Sequence, residues 1–167
     1  PIIDQTGTYE LNALTDHMNH CYLVESPNSD SEHFILEYRK NVGMYDVNLP
    51  GNSDGMIIYR INLDINRNNI IDTLENQGGW AVGGNAGGPP DEMYVYRPAG
   101  TLDNNGNVSA AIFSVQTGRT EINDSTSPSS FLSDGMPGGL NISEIGFPLN
   151  TISFRCDIEC ANFLEGD

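Results

Sequence analysis

Thr151-Ile152-Ser153-Phe154-Arg155-Cys156-Asp157-Ile158 is the stretch that decides the fold. Ile152, Phe154, Cys156 and Ile158 fall on one side of an extended chain, and Ser153, Arg155 and Asp157 fall on the other. A strict period of two is the mark of a strand with one face buried. Working backwards, shorter segments of the same character recur at Thr8 to Leu11, Cys21 to Val24, His33 to Tyr38, Met56 to Asn62, Met93 to Tyr96, Ser109 to Phe113 and Leu140 to Ile145. Each is rich in β-branched or aromatic residues, and Gly, Pro, Asn or Asp stand at most of the boundaries. No window carries a helical period beyond about three turns. The expected fold is therefore all-β, a β-sandwich with long Gly- and Asn-rich loops, with a mixed α+β arrangement in reserve.

The 167 residues suit one β-rich domain spanning 1–167, since a single core usually serves about 100 to 200 residues. Two connections exceed the usual loop length of about 12 to 15 residues. The first, Asn76 to Asp91, has glycine at six of the thirteen positions from 78 to 90 and holds Trp80, the only tryptophan. The second runs from Gly118 to Gly139 and is rich in Ser, Thr, Asn and Gly. Between them, Leu102-Asp103-Asn104-Asn105-Gly106-Asn107 reads as a hairpin turn, with Asn-Gly supplying the positive φ angles.

Twenty-three acidic residues against seven basic ones leave a net charge of -16, and Lys40 is the only lysine. Phosphate recognition draws on clustered Lys and Arg, so nucleic acid and anionic membrane surfaces are poor partners for this chain. No apolar run approaches the roughly 20 residues that span a bilayer, and no membrane insertion is expected. The chain starts at Pro1 without methionine, as expected of a processed fragment.

Catalytic signatures are scarce. His17-Met18-Asn19-His20-Cys21 could offer ligands to a transition metal, but no further histidine or cysteine lies nearby to complete a tetrahedral set, and no zinc site is expected. The sequence has no H-E-x-x-H, no G-x-S-x-G and no phosphate-cradling loop followed by Lys and Ser or Thr. His33 beside Glu32 reads as a surface feature at the start of a strand.

The sharpest local pattern is Asp64-Ile65-Asn66-Arg67-Asn68-Asn69-Ile70-Ile71-Asp72-Thr73-Leu74-Glu75. Oxygen-bearing side chains fall at loop positions 1, 3, 5, 9 and 12, the spacing of a twelve-residue calcium loop, with an apolar residue at position 8. Asn69 stands where glycine is usual, and asparagine tolerates the left-handed backbone needed there. The expected ligands are Asp64, Asn66, Asn68, Asp72 and Glu75 through side chains and Ile70 through its carbonyl. A strand, not a helix, precedes the loop, so the pattern points to calcium without pointing to an EF-hand.

Three cysteines, Cys21, Cys156 and Cys160, permit at most one internal disulfide. On one extended strand Cys156 and Cys160 would hold their Cα atoms about 13 Å apart, beyond the limit of about 7 Å for a bridge. Pairing of Cys21 with one of them is the expectation.

Several stretches together resemble the region that follows the catalytic domain in secreted zinc metallopeptidases of the immune inhibitor A family. They are Gly7 to Asn12, Cys21 to Val24, Glu32 to Arg39, Gly43-Met44-Tyr45-Asp46 with Leu49-Pro50-Gly51, Gly55 to Arg60, Glu92 to Pro98, and Ser133-Asp134-Gly135 with Gly139 to Ile142. Many members carry histidine and aspartate where this chain has Arg60 and Asn62, and Asn52-Ser53-Asp54 looks like an insertion. The resemblance implies a bacterial, secreted or cell-surface parent whose zinc-binding motif lies in an upstream catalytic domain. This chain would then be its non-catalytic partner, with Glu37, Arg39 and Asp46 in a polar network inside or beside the sandwich. The alternative is a free-standing extracellular module that binds glycan or protein through Trp80 and its glycine-rich loop.

Overall fold

A computed structural model describes residues 1–13, 20–41, 53–62, 93–104 and 106–158. Seven strands form two antiparallel sheets. The larger sheet has the order β2 (Cys21–Glu25), β3 (Glu32–Arg39), β4 (Gly55–Asn62), β5 (Met93–Val95), and the smaller has the order β1 (Gly7–Asn12), β7 (Thr151–Cys156), β6 (Ile142–Ser143). The fold is the all-β sandwich read from the sequence, and the alternation at Ile152, Phe154 and Cys156 is its inner seam, since all three are buried. Leu11 of β1 pairs with Ile152 and Tyr9 with Phe154, which places their side chains on the same face.

From the opposite sheet β3 contributes Phe34, Leu36 and Tyr38, and β4 contributes Met56 and Ile58, all fully buried in one core with Leu11, Ile142, Ile152 and Phe154. Antiparallel register carries this through: Phe34 lies opposite Arg60, Leu36 opposite Ile58 and Tyr38 opposite Met56. Rings of Tyr9, Tyr22 and Phe154 lie 5.6 to 6.1 Å apart across the two sheets, near enough for edge contacts.

β4 departs from alternation because both of its faces are covered. Ile57 and Tyr59 turn away from the main core into a smaller one with Val95, Ala111 and Ile112. Ala111 and Ile112 form that outer cover, and Phe113, whose side chain joins the main core, exchanges two backbone hydrogen bonds with Met56, both 2.8 Å. A Cβ at Gly55 would stand 2.6 Å from the Phe113 carbonyl oxygen. Only glycine admits so close an approach.

The expected strand at Ser109 to Phe113 is replaced by a 3-10 turn at Val108–Ala110, followed by the isolated bridge of Phe113. Asn107 and Ala110 close this turn (Ala110 N donates to Asn107 O, 3.1 Å), so the chain arrives at Phe113 from a bend rather than along a strand. The Leu140 to Ile145 segment narrows to the two residues of β6. Gly106 adopts a positive φ, 60°, but the turn joins no hairpin, because β5 pairs with β4 and Phe113 bridges Met56, and Asn105 lies outside the described residues.

The long 118–139 connection is a structural wall. Ile122 exchanges two backbone hydrogen bonds with Ile142, and Phe131 and Leu132 are buried in the main core. Asp124 ties the ends of this wall together, its carboxylate accepting from Ser130 Oγ and from the Gly138 and Gly139 amides. Gly138 has to be glycine, for a Cβ there would fall 2.0 Å from the Ser130 carbonyl oxygen.

Truncating Ile58 to alanine should cost about 2 to 5 kcal/mol, the range for a fully buried aliphatic side chain. Ile2→Ala, at a side chain 60% exposed, should stay within about 0.5 kcal/mol. Urea unfolding of the two variants checks this, and an equal cost at both positions would contradict the core assignment.

Candidate functional site

Charged residues enter the sandwich at one end of the larger sheet. On its inner face β3 begins with Glu32 and β4 ends with Arg60 and Asn62, all buried. The smaller sheet does not reach them. Cover comes instead from the 118–139 wall, which brings Phe131 and Ser133 over this corner.

Every oxygen of Glu32 is engaged. Its Oε2 accepts the Ser133 amide at 2.9 Å and lies 3.2 Å from Arg60 Nε, while its Oε1 accepts the Ser133 hydroxyl at 2.8 Å. Ser133 Oγ in turn accepts from Asn62 Nδ2 at 2.8 Å. Arg60 donates to the Phe131 carbonyl at 3.2 Å, and the same oxygen accepts the Tyr96 hydroxyl at 2.6 Å. The guanidinium also lies 5.3 Å from the Tyr94 ring centre and 5.6 Å from that of Phe131, within range for cation–π attraction. Arg97 is fully buried, its guanidinium lies 4.4 Å from the Tyr94 ring centre, and it donates to the Val95 carbonyl at 2.9 Å. Burial, the largest effect, raises the Tyr96 phenol well above its ordinary value.

Glu32 therefore corrects the surface reading of the Glu32-His33 pair. The signal that could have found it is the even spacing Glu32, Phe34, Leu36, Tyr38, which puts the acid on the apolar face of its strand.

A second polar group occupies the outer face of the same sheet. Arg39 Nε lies 2.5 Å from Glu37 Oε1, and its NH2 donates to the Tyr59 hydroxyl at 3.3 Å. Two members of the expected Glu37, Arg39 and Asp46 network thus meet beside the sandwich, joined by Tyr59, and Asp46 lies outside the described residues. Tyr59 is pushed up to about 12, mainly by burial and next by the negative charge of Glu37.

The calcium-loop residues Asp64, Asn66, Asn68, Ile70, Asp72 and Glu75, with Trp80, His17 and Cys160, also lie outside the described residues. Cys21 is exposed and Cys156 buried, both as free thiols. Of the two expected partners of Cys21, Cys156 is thus not bridged to it, and Cys160 lies outside the described residues. Burial, then the charge of Asp157, raises the Cys156 thiol to about 11.

Because the Glu32 carboxylate is paired inside, removing its cation should be severe. Arg60→Met should destabilise the fold by about 3 to 5 kcal/mol, whereas Glu32→Leu combined with Arg60→Met should cost clearly less than the two single changes added. Additive losses in a double-mutant cycle by urea unfolding would mean the pair does not act as a unit. Alkaline pH offers an independent check. Tyr38 and Tyr59 are raised from 10.0 to about 12, so folding favours their protonated forms. That stability is complete below pH 10 and is lost as pH climbs toward 12. A phenolate absorbance titration should show late-ionising tyrosines together with unfolding in that window.

No protein-family model, no curated protein and no solved structure matches this chain.

Proposed function

We propose that this chain is a non-catalytic accessory domain of a secreted, metallopeptidase-like protein, and that one calcium ion bound by the Asp64 to Glu75 loop stabilises it. The observation that carries the non-catalytic reading is the closure of Glu32. A general base needs a carboxylate in reach of substrate, and Glu32 is buried beneath Ser133 and Arg60. The strand-by-strand resemblance set out from the sequence supplies the parent class.

Docking against a neighbouring domain has support of its own. The turn between β6 and β7 leaves Phe147 57% and Leu149 69% exposed. Its backbone is nonetheless fixed: Leu149 O accepts the Tyr38 hydroxyl at 2.7 Å, and Leu149 N donates to Thr151 O at 3.1 Å. Apolar side chains held out on an ordered backbone lose little entropy on association. They suit the face of an upstream catalytic domain of the same parent.

The calcium part rests on ligand chemistry. Three of the five side-chain ligands are carboxylates, Asp64, Asp72 and Glu75, which places affinity in the extracellular range, on the order of 0.1 to 1 mM. Calcium at ten times its dissociation constant should then add about 1.4 kcal/mol by mass action. Magnesium should add less, because it prefers a smaller octahedral shell and keeps its waters. Thermal melts in chelator, calcium and magnesium, repeated on Asp64→Ala and Glu75→Ala, check this. A melting temperature indifferent to calcium, or a shift that survives both substitutions, would remove the metal from the proposal. The purified chain should leave casein and gelatin intact with or without added zinc. Chelator-sensitive cleavage would overturn the non-catalytic reading.

A further inference from the structure

Two turns on the surface, one around Thr101 and one around Ser127, face each other across a pocket of about 460 Å3. That volume lies in the usual range for small-molecule sites, about 300 to 1,000 Å3. Leu102, Pro128 and Phe131 give it an apolar side, and Thr101, Asp103, Ser127 and Ser129 give it a polar one.

Its walls are set before any ligand arrives. Thr101 Oγ1 accepts the Asp103 and Asn104 amides at 3.3 and 3.1 Å, and Thr101 N donates to Asn104 O at 2.9 Å. Across the gap, Thr126 Oγ1 donates toward the Pro128 carbonyl at 2.7 Å, and Ser130 N donates to Asn123 O at 3.1 Å. Behind them Phe131 is clamped by the Tyr94 and Tyr96 rings, 5.0 and 5.6 Å away.

Several polar groups in this pocket have no protein partner. Among the described residues, the Asp103 carboxylate and the Ser127 and Ser129 hydroxyls make no hydrogen bond or ion pair. Thr101 uses its oxygen as an acceptor and keeps its own proton unspent. The pocket thus offers one acceptor of full charge, hydroxyls able to donate or accept, and an apolar flank.

We propose that this pocket binds a neutral saccharide. Asp103 accepts two adjacent sugar hydroxyls, the serine and threonine hydroxyls complete the hydrogen bonds, and the C–H face of the ring lies against the half-buried Leu102. A free carboxylate in a chain of net charge -16 disfavours uronic or sialic acids by like-charge repulsion. The assignment is independent of the metallopeptidase reading and of Trp80, and it requires no bound metal.

The test is a proton–nitrogen correlation spectrum of the full chain titrated with glucose, galactose, mannose and their neutral disaccharides, with glucuronic acid as the anionic comparison. The expected result is a saturable shift of the Thr101 to Asp103 and Ser127 to Ser129 amides with at least one neutral sugar, and binding of glucuronic acid weaker by about tenfold or more. Asp103→Asn should weaken the neutral sugar by about tenfold with an unchanged melting temperature, because its side chain supports nothing in the fold. Ser129→Ala should weaken it by a smaller factor. The proposal is overturned if none of the neutral sugars moves these amides, if shifts map to another surface, or if binding at these amides is indifferent to Asp103→Asn.

Discussion

The ion pair between Glu32 and Arg60 is the constraint around which this sandwich is arranged. A four-stranded sheet opposed by a three-stranded one leaves part of its inner face without a second sheet. An apolar surface there would need a large cover. Instead the chain places a cation, an anion and an amide on that corner and lets one loop satisfy them. Desolvating two charges costs several kcal/mol per ion, and no single contact offsets it. The offset comes from the whole set: Ser133 bonds both carboxylate oxygens, Phe131 lends a carbonyl, and the Tyr94 and Phe131 rings face the guanidinium. Removing any one partner leaves another buried and unpaired, so the corner enforces the position of the loop.

This explains why the 118–139 connection is ordered despite a composition of Ser, Thr, Asn and Gly. Its ordering entropy is offset at two places, the core, through Ile122, Phe131 and Leu132, and the polar corner, through Ser133. Asp124 contributes a third by capping the amides of Gly138 and Gly139. Small residues are what such a wall requires, because close backbone approach at Gly138 excludes a side chain. A composition that reads as flexible is here the composition of a closely fitted lid.

The strands that alternate were legible in the sequence because their period is a local property. β7 and β3 show it directly, and β1, β2 and β5 follow from β-branched and aromatic content. What resisted reading is non-local. Glu32 meets Ser133 across 101 positions, and no window around either residue carries that contact. The second cover on β4 is similar: Ile57 and Tyr59 look like one half of an alternating strand until Ala111 and Ile112 close over them. The misread strand at Ser109 to Phe113 has the same origin, since its apolar residues are there to cover a sheet and not to extend one. Of the candidate site, Glu37 and Arg39 were expected only as members of a network with Asp46 that the resemblance implied, whereas the pocket between the Thr101 and Ser127 turns joins segments too far apart for any motif to announce.

The distribution of charge ties interior to surface. Among the described residues the arginines are turned inward or neutralised locally. Arg60 and Arg97 are buried, Arg39 and Arg155 pair with acids two positions away, and Arg119 donates to the Ala110 and Ile112 carbonyls. Lys40 is the one basic side chain of the described residues without such a contact. Since the arginines of the described residues are consumed in building the fold, most of the described carboxylates, apart from Glu32, Glu37 and Asp157, have no counter-charge. A surface of that kind carries a negative potential over its exposed pockets. The scarcity of free cations among the described residues is therefore a consequence of how the core is closed.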